Sequence, residues 1–181
     1  MEFSLYYKGI LKSNGSKKDK HEIRMFFHNQ IEKLWTQEPL INFKSFLESK
    51  SDAFSREING FTFSSIINKD FHLIADLDII LLRPEPIGNI IKTGGDIDNR
   101  LKTLFDALKM PSNFDELPND LDPKNMPKTR FCLLHDDSLI NSIKISTRQF
   151  LGSGINNNEV ILLIDVNAKK ISTMLGGMEL P

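Results

Sequence analysis

The sequence predicts one domain of the α/β (α+β) class, in which helices pack on a β-sheet over residues 1–181. A length of 181 residues is typical of a single domain, and a hydrophobic content of 40% is enough to bury a sizeable core. Segments with strand patterns and segments with helical periodicity both occur along the chain. No segment approaches the roughly 20 apolar residues that span a bilayer, so we expect no membrane partner.

Hydrophobic patterning and turn signals assign the individual elements. Strands are predicted at residues 3–11, 61–68, 71–82, 142–150 and 159–165, helices at 20–35 and 98–109, and a helical turn or two within 43–49. The apolar run from Ile79 to Leu82 predicts a strand that is buried on both faces. The last two strands, which are joined by a segment rich in Gly and Asn, are predicted as a hairpin. We expect a surface insertion over residues 111–130 and a C-terminal tail over 166–181.

Basic residues concentrate near the N-terminus, although the net charge of the chain is −1. The candidate nucleic-acid contacts are Lys12, Lys17, Lys18, Lys20, His21, Arg24, His28 and Arg100. His21, Arg24 and His28 share one flank of the helix 20–35, where they would contact a phosphate or a substrate. The alternatives are a solvated loop for the lysines and an exposed polar flank in which one histidine is capping or hydrogen-bonded.

The most informative segment runs from Gly94 to Lys102. Asp96 and Asp98 can act together only if Asp96 precedes the helix, because positions two apart in a helix differ by about 200°. Lys102 would follow Asp98 by one turn on the same face. Carboxylate ligands of this kind suit Mg²⁺, and the lysine beside them predicts metal-assisted phosphoryl transfer. Helix capping explains one of the two aspartates equally well.

A second acidic pair, Asp136-Asp137, follows the apolar residues 131–134. Adjacent carboxylates repel each other and are stabilised by a cation, so the pair is a further candidate for the metal site. A position at a turn or at the end of a strand is sufficient to explain one of the two acids. The sequence leaves both interpretations open.

Taken in order, these motifs are similar to those of the RusA family of Holliday-junction resolvases. The matching residues are Asp96, Asp98, Asn99, Lys102, the run Phe105-Asp106-Ala107-Leu108, Asp136, Asp137 and Ile140. The resemblance covers residues 75–165, and towards the N-terminus it extends only to the outline of a strand, a turn and a helix. Each motif alone is common, whereas their order and spacing are specific.

The resemblance implies a compact fold with a mixed sheet, a homodimer, and resolution of four-way DNA junctions in recombination and repair. The reaction would be Mg²⁺-dependent hydrolysis of phosphodiester bonds, with Mn²⁺ as a substitute. By position, Asp96, Asp98 and Asp137 would hold the metal, with Asp136 nearby. Lys102 would be the essential cation, so that the implied catalytic residues are Asp96, Asp98, Lys102 and Asp137.

The chain also departs from the family pattern. The segment 111–128 separates the two acidic motifs, residues 91–95 are not rich in arginine, and Leu139 stands where a glutamine is usual. These differences concern junction specificity more than the metal site. Two alternatives therefore stay open: a nuclease of the same fold that acts on other DNA or RNA, for example in phage defence, and a non-catalytic nucleic-acid-binding module.

Cysteine content and the N-terminal residues bear on the compartment. The single cysteine, Cys132, excludes an internal disulfide framework and a cysteine-based zinc site. The first residues lack the basic and then apolar layout of a signal peptide. We therefore expect a cytoplasmic protein.

Overall fold

The computed structural model describes residues 1–48, 55–86, 97–121, 129–156, 158–171, 174–175 and 178–179. The chain has a mixed α+β fold, as predicted. The helices are α1 (Lys17–Leu34), α2 (Lys44–Glu48) and α3 (Ile97–Leu108), with a 3-10 turn at Leu40–Phe43 before α2. The strands are β1 (Glu2–Ile10), β2 (Ser55–Ile58), β3 (Phe61–Ile67), β4 (Leu73–Arg83), β5 (Thr129–Leu134), β6 (Ile140–Gln149), β7 (Glu159–Lys170), β8 (Met174–Leu175) and β9 (Met178–Glu179).

The main sheet has four strands in the order β1-β7-β4-β6. Strand β4 pairs parallel to β6 and antiparallel to β7, and β7 pairs antiparallel to β1. The predicted hairpin of residues 142–150 and 159–165 is therefore wrong, because β4 lies between these two strands. The parallel pair also means that the chain must cross over from the end of β4 to the start of β6. Helix α3 lies in that crossover.

A smaller sheet has the order β2-β3-β5, in which β2 and β3 are antiparallel and β3 and β5 are parallel. Strands β3 and β4 follow each other in sequence but belong to different sheets. Between them a 3-10 turn at Lys69–Phe71 is capped by the Asn68 side chain, and His72 then adopts a left-handed conformation with φ of 54°. This turn redirects the chain from one sheet to the other. The short strands β8 and β9 pair with each other.

The hydrophobic core lies between the inner face of the main sheet and the helices. Alternate residues of β4 and β7 face it, and Ile79, Leu162 and Ile164 are fully buried. On the opposite face of β4, Ile80 and Leu82 are only half-buried. The prediction that this strand is buried on both faces is therefore wrong. Its apolar run reflects a central position in the sheet, with one face packed and the other partly open.

Helix α1 begins at Lys17, three residues earlier than predicted. Ser16 and Asp19 form a capping box, in which the Ser16 side chain accepts from the Asp19 N–H and the Asp19 side chain accepts from the Ser16 N–H. Burial raises the pKa of Asp19, but hydrogen bonds from Lys12 and Ser16 outweigh it and lower that pKa to about 2. Over the ranges that the structure describes, neither α1 nor any other helix is long and apolar enough to cross a membrane.

Two predictions for the C-terminal half of the chain need correction, namely where the tail begins and whether residues 111–130 lie at the surface. Strand β7 extends to Lys170, because Val166 and Ala168 continue its buried alternation, so the expected tail at 166–181 begins later. The expected surface insertion at 111–130 is not wholly at the surface, since Leu117 is fully buried in a second core cluster. That cluster also contains Ile58, Phe61, Phe63, Met110 and Cys132. Residues 122–128 lie outside the described ranges.

Candidate functional site at helix α3

The first turn of α3 carries two of the predicted catalytic residues. Asp98 and Lys102 are both exposed, and the Asp98 carboxylate accepts the N–H of Asn99 at 2.8 Å. Both residues are described, and no ion pair joins their side chains within 4.0 Å. Asp96, predicted to precede the helix, lies outside the described residues, so its position stays a prediction. At the start of α3, the described side chains exposed to solvent thus include the Asp98 carboxylate and, one turn later, the Lys102 ammonium.

The second acidic pair lies just before β6, at the 3-10 turn Asp137–Leu139. Asp136 caps this turn, because its carboxylate accepts the N–H of Ser138 at 3.0 Å. Hydrogen bonding from Ser138 lowers the pKa of Asp136. Asp137 is exposed, with its carboxylate 3.7 Å from the Lys109 ammonium. One acid of the pair thus has a capping role, which the sequence left open, and the other faces a lysine.

Replacement of Asp136 tests the capping role. Asp136→Ala removes the acceptor for Ser138 and is expected to lower the free energy of unfolding by about 1 kcal/mol. Asp136→Asn keeps a capping oxygen and is expected to unfold at nearly the wild-type urea concentration. Urea unfolding followed by circular dichroism measures both variants. Equal destabilisation by Ala and Asn would show that the charge, rather than the cap, stabilises the turn.

Asp98 and Asp137 lie towards opposite ends of α3. At the start of the helix, Arg100 donates to the carbonyl of Leu11 at 2.7 Å. At its end, the Met110 N–H donates to the Leu134 carbonyl at 2.9 Å, and Lys109 contacts Asp137. Eleven residues separate Asp98 from Lys109 in sequence, which is roughly 16 Å along a helix axis.

The expectation that Asp137 arrives opposite Asp98 is therefore not met within one chain. The physical reason is the crossover: α3 runs from the end of β4 back to the start of β6, so its two termini lie at opposite ends of the sheet. Over the described part of the chain, no three His, Cys, Asp or Glu side chains form a group that could hold a metal ion.

A row of alternating charges runs beside the C-terminal half of α3. Lys20 contacts Asp106 at 2.7 Å, and Lys109 lies 3.7 Å from both Asp106 and Asp137. The adjoining cavity of about 340 Å³ is lined by Lys17, Lys20, Arg24, Asp106, Lys109, Asp115 and Glu116. Sequence reasoning missed Lys109. The available signal was its position three residues after Asp106, on the face of α3 that also carries Asp98 and Lys102.

The predicted basic residues of the N-terminal segment fall into two groups. Lys12, Lys17 and Lys18 are exposed, and Lys20 is half-buried. Their segment packs against α3, because the Gly15 N–H donates to the Thr103 hydroxyl at 2.9 Å. Lys12 is paired with Asp19 at 2.8 Å, and Lys20 is paired with Asp106. The structure thus brings these four lysines beside the helix that carries Asp98 and Lys102.

The prediction of an exposed flank formed by His21, Arg24 and His28 is wrong, because all three side chains are buried. Arg24 donates to the carbonyls of Asp106 and Lys109 at the end of α3. His28 is hydrogen-bonded, because it accepts the N–H of Phe131 at 3.0 Å, but the alternative of an exposed polar flank is wrong as well, since His28 is buried.

These side chains fill the space between α1 and its neighbours instead of facing solvent. Burial first, and then the charges of Arg24 and Arg130, lower the pKa of His21 to about 4. Arg100, also predicted as a nucleic-acid contact, is half-buried and ties α3 to the end of β1 through its bond to Leu11.

A polar cleft of about 590 Å³ on the outer face of the main sheet was also missed. Asp76 and Asp78 alternate along β4 and therefore share this face, which is a signal readable in the sequence. Three of its carboxylates have partners: Asp76 contacts Lys169 and Asn141, Asp78 contacts Lys144 at 2.6 Å, and Asp165 accepts from Ser4 at 2.5 Å. These three carboxylates are thus satisfied by contacts between neighbouring strands.

Comparison of the chain with protein-family models, curated proteins and solved structures found no match. The case for a function therefore depends on the residues and their placement alone.

Proposed function

We propose that the protein is a divalent-cation-dependent nuclease that hydrolyses phosphodiester bonds in DNA. The observation that carries the proposal is the placement of exposed Asp98 and Lys102 on a helix that packs against the lysine-rich segment 12–20. A carboxylate for a cation and cations for a phosphate backbone are the two requirements of such an enzyme. Asp98 and the lysines of segment 12–20 are the groups that would serve these two purposes beside α3.

Charge supports this surface as a place for a phosphate backbone. Lys17 and Lys18 are exposed in the first turn of α1, and Lys12 lies immediately before the loop that leads into it. Their ammonium groups would neutralise phosphates without sequence preference. Lys102 lies on the neighbouring helix, where it would stabilise the charge that develops on the phosphoryl oxygens. The lysines of segment 12–18 and the carboxylate of Asp98 thus belong to neighbouring parts of the surface, as the proposed nuclease requires.

The proposal also includes the substrate, the cofactor and the oligomeric form that the RusA resemblance implies. We assign four-way DNA junctions as the preferred substrate, Mg²⁺ as the cofactor, and a homodimer as the active form. A cytoplasmic location and a role in recombination and repair stay predictions.

Cleavage of synthetic nucleic acids tests the proposal. Purified protein is incubated with a four-way junction, a linear duplex and single strands of DNA and RNA, in Mg²⁺ or in EDTA. We expect paired nicks in the junction that require Mg²⁺. Asp98→Asn and Lys102→Ala are expected to reduce the rate at least about tenfold while leaving junction affinity near wild type, because neither change removes the lysines of α1.

Matched controls separate catalysis from binding. Asp165→Asn changes a carboxylate on the outer face of the sheet and is expected to leave cleavage unchanged. The double change Lys17→Ala and Lys18→Ala is expected to weaken binding in a salt-dependent way. Cutting of linear or single-stranded substrates at the same rate would favour the wider nuclease interpretation. Binding without any cleavage would favour the non-catalytic module.

A further inference from the structure

An apolar cavity of about 260 Å³ lies at the C-terminal end of α1. Nine described residues line it, none with a charged side chain, and three of them are aromatic: Trp35, Phe43 and Phe71. The other end of the same helix carries Lys17 and Lys18, and a helix of 18 residues is roughly 27 Å long. The cavity is therefore separate from the lysine-rich surface beside α3.

The cavity has a buried floor and an open side. On the floor, Trp35 and Ile66 are each 2% exposed, whereas Phe43 at the open side is 40% exposed. Phe43 belongs to a short turn with hydrogen bonds of its own, in which the Ile41 N–H donates to the Gln37 carbonyl at 2.8 Å. A ligand would therefore enter past Phe43 and reach the Trp35 ring.

Trp35 supplies the side-chain hydrogen-bond donor of the described lining. Its indole Nε1 is buried and has no hydrogen-bond partner among the residues that the structure describes. The ring is held from another side by Phe131, with 5.7 Å between the two ring centroids. The Met1 amino group, also at the lining, already donates to the Ala168 carbonyl at 3.0 Å. A buried N–H without an acceptor is unfavourable, so a ligand that brings one acceptor would satisfy it.

We propose that this cavity binds a small neutral aromatic molecule with one hydrogen-bond acceptor, namely a single ring that carries a carbonyl group. An apolar cavity of roughly 150 Å³ stays dry and binds benzene. The larger volume of about 260 Å³ therefore has room for a ring with a short substituent. The aromatic side chains of the lining favour a ring over an aliphatic chain, because pairs of rings gain more than their buried area provides. The carbonyl oxygen accepts from Trp35 Nε1.

The same lining disfavours charged ligands and ligands with several polar groups. An ionised ligand would find no charged side chain among the described residues of the lining, and burial of an unpaired charge is strongly unfavourable. A nucleobase would bring several donors and acceptors, most of which would lose their hydrogen bonds to water without replacement. The cavity is therefore not a subsite for the nucleic acid of the proposed function, and the proposal stands even if that function fails.

Nuclear magnetic resonance of the full chain tests the binding. Trp35 is the only tryptophan of the sequence, so ¹⁵N-labelled protein gives a single indole N–H cross-peak, which reports on the cavity. Titration with 4-fluoroacetophenone, which has a carbonyl, or with 4-fluoroethylbenzene, which has no carbonyl, is expected to shift this cross-peak until it saturates. The ¹⁹F signal of each ligand gives its dissociation constant. An indole cross-peak that moves with neither ligand would overturn the proposal.

Variants that fill the cavity test where the ligands bind. Ala168→Leu adds side-chain volume to the lining and is expected to weaken the binding of both ligands at least about tenfold. Leu73→Phe fills the cavity from β4 and replaces Ala168→Leu if circular dichroism shows that the latter is unfolded. Leu163→Phe is the matched control, because Leu163 is 39% exposed on the outer face of the sheet, and it is expected to leave both affinities unchanged. Wild-type affinity in a folded filling variant would place the ligands elsewhere and overturn the proposal.

Trp35→Phe tests the role of the acceptor, because it keeps an aromatic ring and removes the indole N–H. The change also alters the shape of the cavity, so the measured quantity is the ratio of the affinities for the two ligands. We expect the affinity for 4-fluoroacetophenone relative to 4-fluoroethylbenzene to fall about three- to tenfold, since only the ketone loses a hydrogen bond. An unchanged ratio in the folded variant would show that the indole N–H does not bind the carbonyl and would overturn the assigned class of ligand.

Discussion

Arg24→Ala is expected to lower the free energy of unfolding by about 3 kcal/mol, because it removes two charge-assisted hydrogen bonds and leaves a cavity. The Arg24 side chain is only 2% exposed. It donates to the Asp106 carbonyl at 2.7 Å and to the Lys109 carbonyl at 3.2 Å, so it caps the C-terminus of α3 and opposes the negative end of the helix dipole. Urea unfolding followed by circular dichroism measures the loss. Burial of the charge offsets part of the gain, which is why we do not expect a larger effect.

Lys18→Ala is the matched control for this change. Lys18 belongs to the same helix but is exposed, so its replacement is expected to change the free energy of unfolding by less than about 0.5 kcal/mol. In nucleic-acid binding we expect the reverse order of effects. Lys18→Ala is expected to weaken affinity, whereas folded Arg24→Ala is expected to bind like the wild type. Wild-type stability of Arg24→Ala together with lost affinity would restore Arg24 to the binding surface that the sequence predicted.

The elements of the fold were largely readable from local patterns. Helix α3 was predicted to within a residue because its apolar stripe is regular and Pro111 follows its end. Strands β1, β3 and β4 were predicted because their hydrophobic patterns are typical of strands and turn signals bound them. Strand order was not readable, because pairing depends on contacts distant in sequence. A rule that pairs strands adjacent in sequence therefore cannot predict that β4 lies between β6 and β7.

Burial of polar side chains was the second failure of sequence reasoning. His21, Arg24 and His28 have helical spacing, which indicates that they share a face but not what covers that face. The covering elements are α3 and β5, which lie far along the chain. A basic face that packs on the carboxyl end of another helix has the same sequence pattern as a basic face that binds phosphate.

The candidate site shows the same limit at a larger scale. The motifs correctly placed Asp98 and Lys102 near the start of α3 and the acidic pair before β6. Their order in the chain contained no information on the distance between them, which the β4–α3–β6 crossover determines. A motif can therefore specify the chemistry of a site while leaving open whether one chain or two complete it.

His21 is expected to make the folded state sensitive to acid. Its side chain is 5% exposed, and neither ring nitrogen has a hydrogen-bond partner among the described residues. Burial, reinforced by Arg24 and Arg130, lowers its pKa to about 4, whereas the ordinary value is 6.5. Because the folded-state pKa is the lower one, the unfolded chain binds the proton first. Stability is then complete above about pH 6.5 and falls as the pH decreases towards 4, by on the order of 3 kcal/mol.

His21→Leu removes this dependence, because the apolar side chain has no proton to bind and leaves no unsatisfied nitrogen. We expect its free energy of unfolding at pH 7 to equal or exceed the wild-type value, and the advantage to grow as the pH approaches 4.5. Urea unfolding at the two pH values gives the comparison. His72→Asn is the matched control, since His72 is exposed in a left-handed conformation that Asn tolerates. Parallel acid sensitivity of wild type and His21→Leu would assign the effect to other groups, of which His28 and His135 also have pKa values lowered by burial.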